Sequence, residues 1–422
     1  MQNDLTESVQ ASIRPGEMVD TYYYGESNTQ KQAYPAVVNT RFVQQFTNLG
    51  AGSSQFVISP QGGVSDIIMQ FVTPAAGAGA VYTLLALNQG WGYALINRIS
   101  VRYGSSAQYF WTGAQMYLQN LLDCENAPKQ DAIPALGGSA LAGAAAAGAT
   151  AYVYLKLPHN SIRANGKPLP FPTDLLVQPI VCTVELFSLA AIMTNQGGTL
   201  ATAPSTLASA QMQVKQEMLT DSSDQLARRV DMNSHAYTLP LQYFCQQETQ
   251  VQVTSSATSL TQSVNLTGFR AGEVKSVILW LTPTAGGAGT AGSGGYAPLA
   301  WSLINNVVLT YNGEIFSRFD SGSSQLWNLS ENEKISAVNT SIQTVGAVAV
   351  NPFVSYWTEF PFAQVSKEWD RETKLVHGKP ILNAVVNLQF DVPALATSYV
   401  LHAMYLYNAS LLCSRGSAEY IF

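Results

Sequence analysis

Charge is scarce in this chain. Lys, Arg, Asp and Glu make up 11% of its 422 residues, against about 25% in an ordinary soluble domain. Gly, Ala, Ser, Thr, Asn and Gln take their place. These residues hydrate without strong fields and pack against similar surfaces at low cost, which suits crowded assembly. With 21 Lys+Arg against 27 Asp+Glu the formal charge is -6. The phosphate neutralisation that drives nucleic-acid binding therefore has no source here, and direct contact with nucleic acid is not expected.

Cysteine is nearly as rare. Cys124, Cys182, Cys245 and Cys413 lie far apart with no CxxC spacing, which argues against a zinc cluster or a disulfide framework and reads as small buried apolar side chains. The four histidines, His159, His235, His377 and His402, show neither HExxH nor any other metal spacing. Long apolar runs are missing too. The longest charge-free stretch, Ser276 to Gly313, is broken by Gly, Pro and Asn, and the tract from Gly137 to Ala149 is mostly Ala and Gly. A bilayer span needs about 20 mostly apolar residues, so no transmembrane helix is expected. The first residues carry Asp4 and Glu7 without an apolar core, which is not a signal peptide and predicts a cytosolic start.

What the chain has is period-two alternation. Ile99, Val101 and Tyr103 alternate with Arg98, Ser100 and Arg102, giving a strand with one apolar and one polar face. The same pattern recurs in Ile180, Cys182, Val184 and Leu186; in Ala384, Val386, Leu388 and Phe390; and in Leu401, Ala403, Tyr405 and Tyr407. Asn312-Gly313 and Tyr103-Gly104 read as turns, where Gly or Asn accepts positive φ. Short helices are predicted at Thr112 to Asp123 and Ser323 to Glu333, each between strand-like runs.

A faint internal duplication accompanies the strands. Leu95-Ile96-Asn97 returns as Leu303-Ile304-Asn305, and the strands that follow end at Tyr103 and Tyr311, all at an offset of 208. Thr73-Pro74 is echoed by Thr282-Pro283, Gln115-Met116-Tyr117 by Gln325-Leu326-Trp327, Gly166-Lys167-Pro168 by Gly378-Lys379-Pro380, and Pro158 by Pro361. Collinear matches close to half the chain length predict two copies of one β domain. The expected organisation is an N-terminal arm over 1–33, a first unit over 34–222, a linker over 223–234 and a second unit over 235–422. Each unit of about 190 residues holds strands enough for two facing sheets, so the fold class is all-β: two tandem eight-stranded jelly rolls with short helices in the inter-strand loops.

Two blocks carry a resemblance: YVYLKLPHNSIRANGKPLPF with LLVQPIVCTVELF, and SYWTEFPFAQVSKEWDRETKLVHGKPILNAVVNLQF. With INRISVRYG and INNVVLTYNGE, they resemble the double jelly-roll major capsid proteins of tailless icosahedral double-stranded DNA viruses, over nearly the whole chain. Pro158 is followed here by His159 and Asn160, where the algal-virus type carries Phe-Trp-Phe. The resemblance implies a virion structural protein whose homotrimers form pseudo-hexagonal capsomers and tile an icosahedral shell, over an internal membrane. It implies as partners other copies of the chain, neighbouring capsomers, minor capsid or vertex proteins and the inner membrane face.

No catalytic, cofactor or metal residue is expected. Gly287, Gly289 and Gly292 have G-x-G-x-x-G spacing, but no helix follows them and a loop is the better reading. Glu368, Asp370 and Glu372 have Lys367, Arg371 and Lys374 as counter-charges, which suits a solvated loop better than a cation site. Arg228 and Arg229 read as part of a solvated linker. The sequons at Asn265, Asn328, Asn339 and Asn408 are expected by chance in so Asn/Ser/Thr-rich a chain. The alternative reading is a two-domain all-β carbohydrate-binding or adhesin-like module.

Overall fold

A computed structural model describes residues 37–74, 85–87, 90–122, 132–133, 135–139, 141–142, 148–155, 157, 170–192, 194–195, 204–219, 226, 229–231, 233–241, 248–267, 273–283, 304–319, 343–345, 348–350, 357–362, 379–380, 385–407 and 409–421. In chain order the first half gives β1 (Val37–Gln45), β2 (Gly52–Ile58), β3 (Gly63–Val72), α1 (Trp91–Leu95), β4 (Ile96–Tyr103), β5 (Tyr109–Trp111), α2 (Gly113–Leu122), β6 (Thr150–Leu155), β7 (Phe171–Pro172), β8 (Ile180–Leu186) and β9 (Ser209–Leu219). The second half gives β10 (Ala236–Leu241), β11 (Glu248–Thr254), β12 (Thr261–Leu266), β13 (Glu273–Pro283), β14 (Asn305–Tyr311), β15 (Glu314–Phe319), β16 (Thr358–Pro361), β17 (Lys379–Pro380), β18 (Val386–Asp391), β19 (Ser398–Tyr407), β20 (Ala409–Ser414) and β21 (Ser417–Ile421).

Pairing is antiparallel, and the two halves repeat one plan. In the first, one sheet runs β1-β9-β3-β6, with β7 also on β3, and the other runs β2-β8-β4-β5. In the second, the sheets run β11-β19-β13-β16, with β17 on β13, and β12-β18-β14-β15. Setting the two-residue β7 and β17 aside, each half reads 1-8-3-6 and 2-7-4-5, the strand order of a jelly roll. The fold is thus a double jelly roll. Each half adds a further three-stranded sheet: Thr194–Asn195, Leu85–Leu87 and Leu141–Ala142 in the first, and β10-β20-β21 in the second.

Sequence patterning accounts for the cores. Ile99, Val101 and Tyr103 are buried, as are Ile180, Cys182, Val184 and Leu186 opposite them, and Val386, Leu388 and Phe390 in the second unit; Ala384 lies outside the described residues. Ser100 departs from its expected exposure. It pairs with Phe110 and is shielded by Arg98, whose guanidinium lies 5.2 Å over the Phe110 ring and 2.8 Å from Glu185. Phe46 ties the two sheets of the first unit together through edge contacts to Phe56 at 4.7 Å and Phe71 at 5.6 Å.

The predicted turn at Asn312-Gly313 joins β14 to β15, with φ of 51° and 87°. Two residues with positive φ match the twist of a tight hairpin. The predicted helix at Thr112 to Asp123 is α2, begun by a reciprocal capping box: Thr112 N–H donates to Gln115 Oε1 at 2.9 Å and Gln115 N–H to Thr112 Oγ1 at 3.2 Å. Asn120 on α2 donates to the Tyr93 hydroxyl and the Tyr154 carbonyl, fixing α1 and α2 to β6. The counterpart predicted at Ser323 to Glu333 lies outside the described residues.

The duplication holds where it can be followed. Tyr103 pairs with Ile180 and Tyr311 with Val386, the same position of the same two strands. Thr73 follows β3 directly, and Thr282 stands near the end of the equivalent β13. The Gly-Lys-Pro match is out of step. β17 pairs Glu273 with Pro380, and its counterpart pairs Gly63 with Pro172, not with Pro168.

Candidate functional site

Ionisable groups are dispersed. Among the described residues no cluster of His, Cys, Asp and Glu could hold a metal ion. His235 is exposed, with its Nδ1 2.8 Å from Ser234 Oγ and 2.9 Å from the Asp231 carbonyl. His402 stacks on Trp280 at 5.2 Å, with Nε2 2.9 Å from Thr282 Oγ1. Cys182 and Cys413 are buried free thiols, each pushed up to about 12 by burial. A neutral thiol is a poor nucleophile. Asn265 is exposed on β12, where its Oδ1 accepts from Asn387 Nδ2 at 2.9 Å. Arg229 is described and half-buried. Arg228, His159, His377, Cys124, Cys245, the three loop glycines, the acidic run at 368–372 and Asn328, Asn339 and Asn408 lie outside the described residues. No helix among the described residues is long and apolar enough to cross a membrane.

The structure instead builds surfaces. The outward face of β1-β9-β3-β6 carries a row of amides across the strands: Gln45 donates to Gln211 at 3.2 Å, Gln211 to Gln70 at 2.5 Å and Gln70 to the Tyr152 hydroxyl at 3.4 Å. Beside it stand Val43, Gln213, Ile68 and Tyr154, then Arg41, Lys215 and Asp66. Lys215 and Asp66 lie 3.5 Å apart, and Tyr154 donates to Asp66 at 3.1 Å, so this charge is balanced within the face. The face is wide, mostly uncharged apart from this pair and the exposed Arg41, and solvated, with Val43 at 53% and Tyr152 at 44%. Period-two glutamine at Gln211 and Gln213 is its sequence signal.

At one end of the first unit the C-terminal hairpin β20–β21 closes a seam. Val177 N–H donates to the Gly416 carbonyl at 2.9 Å, and Ala418 N–H to Ser105 Oγ at 3.1 Å. Tyr103, Cys182 and Cys413 are buried there. Burial raises Tyr103 well above its ordinary phenol value, and the nearby Tyr420 adds to the effect. The seam is buried packing between the two units.

No family model and no curated relative matches this sequence. Solved structures do resemble it. The PBCV-1 virus capsid is 13% identical over 94% of this chain and 99% of that chain, with a TM-score of 0.61. The mavirus major capsid protein is 11% identical over 95% of this chain and 94% of its own, at 0.54. The Sputnik virophage structure is 11% identical over 94% and 90%, at 0.55. The likeness is one of fold, and it spans both units.

Proposed function

We propose that the chain is a virion structural protein, a major capsid subunit whose homotrimers are pseudo-hexagonal capsomers tiling an icosahedral shell. The observation that carries this is the repetition of one eight-strand order in both halves. Three copies of a doubled unit place six similar barrels in a ring, which closes by heterologous contacts and stops growing at a defined size. The fold likeness to viral capsid structures along nearly the whole chain supports the reading. So does the low charge, since like charges brought together across many repeated contacts repel or require costly desolvation.

On this reading residues 34–222 and 235–422 are the barrels, 223–234 joins them, and 1–33 is an arm that grips neighbouring capsomers. An underlying membrane and minor or vertex proteins follow from the resemblance. The test is light scattering on the purified chain, followed by electron microscopy of assembled material. A mass of about 136 kDa, three times 45.4 kDa, is expected; a stable monomer with saturable glycan binding would instead favour the two-domain lectin or adhesin. Deleting residues 1–33 should leave the trimer intact and lower the yield of closed shells, and an unchanged yield removes the role given to the arm.

A further inference from the structure

The two units agree on one outward face and disagree on the other. The faces of β2-β8-β4-β5 and β12-β18-β14-β15 that point away from the cores are both polar and solvated, with Gln55 and Arg102 exposed in one and Thr261, Ser263 and Gln389 in the other. The second pair of sheets differs. On β13 and β19 the outward residues Ser276, Ile278, Trp280, Met404 and Leu406 are buried, at 4%, 0%, 0%, 1% and 4%. Their inward neighbours Val277, Leu279, Ala403 and Tyr405 are buried too. Around β13 and the end of β19 this sheet is covered on both faces from within the chain, while on its edge strand β11 the outward Gln250, Gln252 and Thr254 stay exposed. The equivalent strands β3 and β9 carry Asp66, Ile68, Gln70, Gln211, Gln213 and Lys215 outward, and none of them is buried.

From this asymmetry we infer that the outward face of β1-β9-β3-β6 is an intersubunit surface, covered by a second copy of this chain as the β13 side of the equivalent face is covered in cis. The inference rests on the ring reading above and adds the surface that makes it. In a ring whose members alternate first and second unit, a face covered inside the chain in one unit must be covered by the next chain in the other. The side chains fit that division. The part that is always covered, around β13, is mostly apolar. The face that must stay in water until a partner arrives carries neutral amides, two tyrosines, the Lys215–Asp66 pair and the exposed Arg41, a composition suited to non-obligate contact. Four strands spaced by about 4.8 Å, with about seven residues each, present roughly 450 Å² per partner, below the about 800 Å² of a standard interface. The face is therefore the centre of a larger contact, and a charge placed there acts strongly.

The experiment is the double variant Gln70→Glu with Gln213→Glu, which adds two carboxylates to an already solvated face. Sedimentation is compared with the wild type and with the controls Gln55→Glu and Gln389→Glu on the other outward faces. A trimer in the wild type and controls, with dissociation of the double variant strengthened by about a hundredfold and an unchanged circular dichroism spectrum, supports the surface. A double variant that stays trimeric like the wild type overturns the surface and leaves the ring reading standing. A monomeric wild type overturns the ring reading itself. Oxidative footprinting of the wild-type trimer needs no variant. Tyr152 should label no faster than the buried Tyr109; labelling at the rate of an exposed ring overturns the proposal. So does a chain lacking residues 1–33 that remains trimeric while Tyr152 gains reactivity, because the arm would then be the cover.

Discussion

Val101 and Val386 sit in equivalent sheets of the two units at 0% and 1% exposure. Aspartate at either place would leave an unpaired charge among apolar neighbours, at a cost of several kcal/mol, comparable with the ~5–15 kcal/mol that holds a domain folded. Val101→Asp and Val386→Asp are expected to accumulate as insoluble chains, whereas Gln389→Asp, three residues along from Val386 on β18 and exposed, should remain soluble; a fractionation assay distinguishes them. The thiols give a pH prediction. Burial lifts Cys182 and Cys413 to about 12, and a raised folded pKa contributes stability that is complete below the unfolded thiol value of about 8.5 and is lost as pH climbs through the folded value. Urea midpoints should fall between about pH 9 and 12, less steeply for Cys182→Ala, and neither thiol should react with Ellman's reagent at pH 8 before denaturant is added. Such assignments were legible in the alternation of the strands, because which face a residue takes depends only on its parity. Ser100 was not, because its cover comes from long side chains beside and across from it.

Strand and turn signals located the elements better than they matched them between units. The Gly-Lys-Pro echo slipped because a two-residue pairing is set by backbone contacts that three letters do not encode. In the first unit that contact is held by Asp174 and Thr173, just after β7. Gly62 N–H donates to Asp174 Oδ1 at 2.7 Å, and the Thr173 hydroxyl donates to the Gly62 carbonyl at 2.8 Å. Gly62 has a φ of 69°, and a Cβ there would strike the Glu217 carbonyl, so its glycine is required twice over. Asp174→Ala leaves a buried N–H unpaired and should lower unfolding free energy by about 1–3 kcal/mol. Asp174→Asn keeps an acceptor and should lose less, as denaturant titration of the two variants would show. Equal losses would mean that the carboxylate acts through its charge and not through this bond.

The duplicated plan was visible in the sequence as matched strand ends; the way one unit closes the other was not, because the closing element has no copy among the described residues. Tyr103 and Tyr311 occupy the same position, yet Tyr103 is fully buried and Tyr311 half-buried, with Ile315 and Val385 near it exposed at 66% and 63%. The difference is the hairpin β20–β21, which follows the last strand of the second unit and docks on the end of the first. Gly416, at a φ of 78°, is pressed against Val177 across that seam. A seam of buried aromatic and thiol side chains makes the two barrels unfold together, because opening either exposes the other's apolar surface. A chain ended at Tyr407 removes the hairpin and leaves both sets of core strands intact. Calorimetry of the full chain is expected to show one transition. The shortened chain should show two, the earlier one accompanied by alkylation of Cys182 under native conditions. A single transition in the shortened chain, with Cys182 still protected, would mean that contacts elsewhere couple the barrels.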